Sequence, residues 1–128
     1  MGWHSADREA DEVKQEPTCL LVDDDTFART YMALILQRMG YFVSDHGSVT
    51  EARMACSQFV FDLAVLDALL PDGSGVVFAD ELACPIIFTT GATDEFNRKV
   101  MWKRGVVYQK PVDSSFNECV KRVTEKGK

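Results

Sequence analysis

The run Phe61-Asp62-Leu63-Ala64-Val65-Leu66-Asp67, followed at once by the loop signal Pro71-Asp72-Gly73-Ser74-Gly75, decides the fold. A short apolar stretch bounded by turn residues reads as a buried strand of a parallel sheet. An acid at the end of such a strand is costly unless the strand tip opens into a polar site. Three more apolar runs end in the same way. Cys19-Leu20-Leu21-Val22 runs into Asp23-Asp24-Asp25, Ile86-Ile87-Phe88 into Thr89-Thr90-Gly91, and Val106-Val107-Tyr108 into Gln109-Lys110-Pro111. Ligands of open parallel sheets bind at the carboxyl ends of the strands. Acids, a hydroxyl and a lysine are therefore expected to converge on one sheet edge.

Helical patterns separate the runs. Phe27, Tyr31, Leu34, Ile35 and Met39 trace an apolar stripe at helical period, with Asp25 or Thr26 to cap its start and Gly40 to end it. Tyr41 to Asp45 reads as a strand. Ser48 caps a helix to about Gln58, with Glu51 at capping-box spacing. A short helix from about Gly75 to Leu82 stops before Pro85. Thr93 or Asp94 opens a helix that ends near Gly105, and Asp113 or Ser114 opens the last one, whose Phe116, Val120 and Val123 face the core. Five strand–helix units imply an α/β fold: a doubly wound five-stranded parallel sheet with helices on both faces.

At 128 residues the chain makes one domain with a real core. Its net charge of −6 argues against a grip on nucleic acid and suits cations or basic protein surfaces. No apolar stretch is long enough to span a bilayer. Residues 1–17 carry Asp7, Glu9, Asp11, Glu12 and Glu16 and no apolar core of a signal peptide; they are expected to be a disordered acidic tail ahead of a domain spanning 18–128. Cys19, Cys56, Cys84 and Cys119 are widely spaced among apolar neighbours. They read as thiols of a reducing, cytoplasmic setting, with neither zinc nor disulfides indicated. Met32, Met39, Met54 and Met101 read as core fillers, and Trp102 as packing or a partner contact.

The chemistry gathers in a few residues. Asp23, Asp24 and Asp67, at the ends of neighbouring strands, repel one another too strongly to remain ionised together without a cation. Hard oxygen ligands at a half-open site suit Mg²⁺. Lys110 adds a second positive charge, and Pro111 holds its backbone extended and permits a cis bond. Thr90 precedes Gly91, which leaves room for a ligand oxygen near its hydroxyl. Such a set serves phosphoryl transfer: a carboxylate attacks, a metal neutralises oxygens, and a lysine and a hydroxyl hold the rest.

From about Thr18 to its C-terminus the chain resembles a response-regulator receiver domain of two-component signalling. The stretches that carry the resemblance are Cys19 to Asp25, Asp62 to Gly75, Pro85 to Gly91, and Lys110-Pro111, in this order and spacing. The resemblance implies a flavodoxin-like fold with strand order 2-1-3-4-5. It implies that Asp67 is the phosphoacceptor, charged by a sensor histidine kinase or phosphotransfer protein. It also implies that Asp24 binds Mg²⁺ directly, that Asp23 assists, and that the Leu69 backbone carbonyl is a further ligand. Thr90 would be the switch hydroxyl and Lys110 the partner of the phosphate. The readout would be a downstream protein or output domain, with no direct nucleic-acid or membrane contact.

Four features depart from the family pattern. Val107 stands where many relatives carry a switching aromatic, with Tyr108 one place later on the opposite strand face. The stretch from Gly105 to Lys110 is short, and so is the helix between Gly75 and Pro85. Leu69 and Ala92 occupy positions where relatives often carry polar groups that orient water, which predicts a long-lived aspartyl phosphate. The basic cluster Arg98, Lys99, Lys103 and Arg104 reads as a solvated face that also counters the helix dipole, or as a partner or dimer contact. Two alternatives compete: a pseudo-receiver that binds protein without phosphate, and an aspartyl phosphatase of the haloacid-dehalogenase type with Asp23 as nucleophile.

Overall fold

The structure, a computed structural model, describes residues 16–91 and 95–126. Most of the expected tail, the candidate caps Thr93 and Asp94, and Ala92 lie outside the described residues. Five parallel strands, β1 (Thr18–Val22), β2 (Phe42–His46), β3 (Leu63–Asp67), β4 (Ile86–Thr90) and β5 (Val106–Gln109), form one sheet in the order β2-β1-β3-β4-β5. This is the flavodoxin-like order expected. Among the described residues five helices connect and follow them: α1 (Thr26–Arg38), α2 (Val49–Cys56), α3 (Gly75–Phe78, continued by a 3₁₀ turn Ala79–Glu81), α4 (Glu95–Arg104) and α5 (Phe116–Lys126). The truncation of α3 anticipated ahead of Pro85 is present.

The central strands are buried on both faces, so their sequences read as unbroken apolar runs rather than alternations. Leu20, Val22, Ala64, Leu66 and Phe88 pack under α2, α3 and α4, with Phe78 and Met101. Cys19, Leu21, Leu63, Val65 and Ile87 pack under α1 and α5, with Met32, Leu36, Phe116, Val120 and Val123. The α5 stripe is as expected.

The α1 stripe is as expected at Ile35 and Met39 only. Phe27 is 87% exposed, and Tyr31 and Leu34 are exposed as well; the inward line runs through Ala28, Met32, Ile35, Leu36 and Met39. Apolar residues nearly surround this helix, so periodicity alone does not fix its rotation. Ala28 and Ala33 also pack against that core, and packing selects that side. Met54 is likewise no core filler: it is 65% exposed, because α2 turns Val49, Ala52 and Ala55 inward.

The caps follow the sequence. Asp25 accepts from the amides of Phe27 and Ala28, and Ser48 accepts from that of Glu51. Glu51 closes back on the Gly47 amide, one residue earlier than in a regular capping box. Gly40 takes a left-handed φ of 99° beyond α1, where a side chain would be strained. α2 ends two residues before Gln58, in a turn held by Ser57 and Gln58 amides. Leu69–Leu70 and Gly73–Ser74 pair as a small antiparallel hairpin where only a loop was expected. All four cysteines are free thiols.

Candidate functional site

Parallel pairing brings the carboxyl ends of β1, β3, β4 and β5 to one edge, and the three consecutive acids after β1 then divide. Asp23 turns wholly inward, its Oδ1 accepting from the Asp25 amide at 2.8 Å. Asp24 is exposed at the bend, and Asp25 is spent on capping α1. On β3, Asp67 lies buried at the strand tip. Its Oδ1 accepts from the Leu69 amide at 3.1 Å, and its Oδ2 accepts from the Lys110 ammonium at 3.0 Å.

Lys110 follows β5 and reaches across β4 to both acids. Its Nζ lies 2.9 Å from Asp23 Oδ2, an ion pair without the alignment of a hydrogen bond, so that buried oxygen has no hydrogen-bond partner among the described residues. The bond between Lys110 and Pro111 is cis. Burial pushes the Asp67 carboxyl upward, and this outweighs the Leu69 amide and the Lys110 ammonium, which pull it down; the neighbouring Asp23 adds to the rise. For Lys110 burial acts downward, but the carboxylates of Asp23 and Asp67 beside it prevail and hold its pKa above the usual lysine value.

One carboxylate oxygen from each of Asp23, Asp24 and Asp67 lies within 4.8 Å of the others. The three offer hard oxygen donors, one of them buried and unaligned with any donor, so the set fits a small divalent cation. The structure thus brings Asp23, Asp24, Asp67 and Lys110 together as expected. Thr90 sits buried at the end of β4, its carbonyl accepting from the Lys110 amide. By strand alternation it belongs to the α2–α4 face rather than to the face of Asp67. Leu69 contributes its amide to Asp67 and leaves its side chain exposed.

Several supporting residues escaped the sequence reading. Asp72 accepts from the amides of Val49 and Thr50 and from the Thr50 hydroxyl, tying the loop after β3 to the start of α2. Ser74 caps α3. Arg29 bonds the Asp23 carbonyl at 2.7 Å and pairs with Asp45. A serine before an apolar turn could have been found as a cap; the partners of Asp72 and Arg29 are too distant in sequence to read.

Tyr108 keeps the strand face opposite that of Val107, as simple alternation predicts. β5 pairs with β4 in regular register, Phe88 with Val107 and Thr89 with Tyr108, so no bulge rotates it. In the basic cluster, Arg98 bonds Gln109 and Arg104 pairs with Asp80, leaving Lys99 and Lys103 exposed beside the half-exposed Trp102. No helix among the described residues is long and apolar enough to cross a membrane.

Residues 19–121 match the family model described as response regulator receiver domain. The transcriptional regulatory protein GltR of Pseudomonas aeruginosa is 35% identical over 88 residues, covering 63% of this chain and 36% of that protein. The chain therefore spans well under half the length of that curated relative. Among solved structures, a CheY-like response regulator receiver domain protein from Methanospirillum hungatei superposes with a TM-score of 0.79 at 25% identity, covering 88% of this chain and 96% of the other. Chemotaxis response regulator CheY4 of Vibrio cholerae gives 0.76 at 23%, with 85% and 99% covered; at that identity the likeness speaks to the fold alone.

Proposed function

The chain belongs to the response regulator receiver domain family of two-component signalling, and from that premise we propose that Asp67 is its phosphoacceptor. The observation that carries the reading is the Lys110 ammonium set between the buried carboxylates of Asp67 and Asp23. A carboxylate oxygen of Asp67 attacks phosphorus as the P–N bond of a donor phosphohistidine breaks, and the imidazole leaves and takes up a proton. Lys110 stays with the transferred oxygens, and the Thr90 hydroxyl draws toward them. Asp23, Asp24, Asp67 and the Leu69 carbonyl would hold Mg²⁺, which when bound supplies positive charge against the phosphoryl oxygens.

The partners are a histidine kinase or phosphotransfer protein and a downstream target or output domain, in the cytoplasm. The modified state favours a minor conformation of the fourth-helix and fifth-strand face. With an exposed leucine at position 69 and alanine at 92, no polar side chain at either position orients attacking water, and the aspartyl phosphate is long-lived.

Acetyl-phosphate labelling in Mg²⁺ tests the reading: wild type gains one phosphoryl group, while Asp67→Asn and chelated protein gain none. Rapid loss of label without a phosphatase would contradict the long lifetime alone. The pseudo-receiver reading draws on Val107 and the fixed Tyr108, and a wild type inert to every phosphodonor would favour it. Against the phosphatase reading, Phe27 stands four residues after Asp23, where those enzymes usually carry Thr or Val.

A further inference from the structure

One buried polar group beside this site has no work in the resting arrangement. Thr89 is 0% exposed, and its hydroxyl has no hydrogen-bond partner among the described residues. A buried hydroxyl without a partner costs stability, and valine would fill a strand position of this shape without that cost. Thr89 pairs in register with Asp67 on one side and Tyr108 on the other. By alternation it shares the sheet face of Ile87, and so of Asp67. Lys110, one residue beyond β5, must pass over β4 to bond Asp67 on β3 and to meet Asp23 after β1. On β4 the residue level with Asp67, on that face, is Thr89.

Resting on the reading of Asp67 as phosphoacceptor, we propose that Thr89 is a positioning residue: its hydroxyl accepts the Lys110 ammonium when modification of Asp67 and a cation at Asp23 change the two carboxylates that hold it at rest. An ammonium carries three donors and no acceptor, so a lysine that follows the transferred oxygens and gives up Asp23 to a cation has a further donor to place. Thr89 Oγ1 is an unclaimed oxygen on the same face. Thr90, the switch hydroxyl, answers to the phosphoryl group from the other face, so adjacent threonines serve two different partners.

The test measures beryllofluoride affinity in saturating Mg²⁺ by fluorine NMR on the full chain, for wild type, Thr89→Val and Thr89→Ser, together with the Tm of each unmodified protein. Thr89→Val is expected to bind about ten-fold or more weakly, the loss of one hydrogen bond to a charged group. Its unmodified Tm should be no lower than that of wild type. Thr89→Ser, which keeps the hydroxyl and loses the methyl, should restore most of the affinity. Equal affinity for wild type and Thr89→Val overturns the proposal, and so does a Thr89→Ser as weak as the valine variant, since packing would then be the cause. A wild type that takes up no beryllofluoride overturns the Asp67 reading and this inference with it, an outcome distinct from the other two.

Discussion

Tyr108 meets Phe116 edge-on, with ring centroids 5.3 Å apart and planes at 90°. The phenol is further fixed by Asp113 at 3.0 Å and Ser115 at 2.9 Å. This aromatic therefore fastens β5 to the start of α5, on the face opposite the one that Val107 presents. Tyr108→Phe should lower stability by about 0.5–1.5 kcal/mol, the net worth of its hydrogen bonding. Asp67 labelling should be unchanged. Chemical denaturation and acetyl-phosphate labelling of the same preparation check both halves, and a loss of labelling would return Tyr108 to the switch.

Gly75 packs its backbone against the tip of β3. A Cβ at this position would stand 2.0 Å from the Asp67 carbonyl oxygen, and backbone cannot yield as a flexible side chain would. Gly75→Ala should cost about 1–3 kcal/mol, the range of overpacking, and slow Asp67 labelling by displacing the acid. A variant with wild-type Tm and labelling would refute the contact.

Asp72 holds three donors at the start of α2, and its carboxyl is lowered to about 2, chiefly by the Thr50 hydroxyl and then by the Thr50 and Val49 amides. The folded value lies below the unfolded one of about 3.9. Its contribution is thus complete above about pH 4 and is lost as pH falls through about 2. The Tm difference between wild type and Asp72→Asn should be largest near neutral pH and shrink towards pH 2. A difference independent of pH across that window would assign the effect to something other than the carboxylate.

The rotation of α1 gives a matched pair of substitutions. Leu36→Ala empties a fully buried position and should cost about 2–5 kcal/mol. Phe27→Ala removes a larger but exposed side chain and should stay within about 0.5 kcal/mol. Urea unfolding of the two variants decides the rotation, and the reverse ranking would restore the stripe through Phe27, Tyr31 and Leu34.

Much of the site was legible because its residues end strands. Once each apolar run is taken as a parallel strand, its carboxyl end has one destination, and Asp23, Asp67 and Lys110 must arrive there together. The caps at Asp25 and Ser48 were legible because their partners lie within three residues. The misplaced stripe of α1 and the misassigned Met54 share another cause. A helix with more apolar residues than one face can bury does not reveal which it buries, and the answer comes from the surface it meets. The Asp72 tie depends on contacts with α2 that no local pattern encodes.

By itself the sequence determined the alternation of strands and helices, the edge at which function gathers, and the acids and lysine that meet there, because strand period, caps and turn residues act over a few neighbours. Only the tertiary structure decided how Asp23, Asp24 and Asp25 divide among site, solvent and cap. It alone placed Lys110 between two carboxylates and left the Thr89 hydroxyl buried with no hydrogen-bond partner among the described residues. These are matters of which groups lose water together and at what distance, and such energies exist only once separate strands lie side by side.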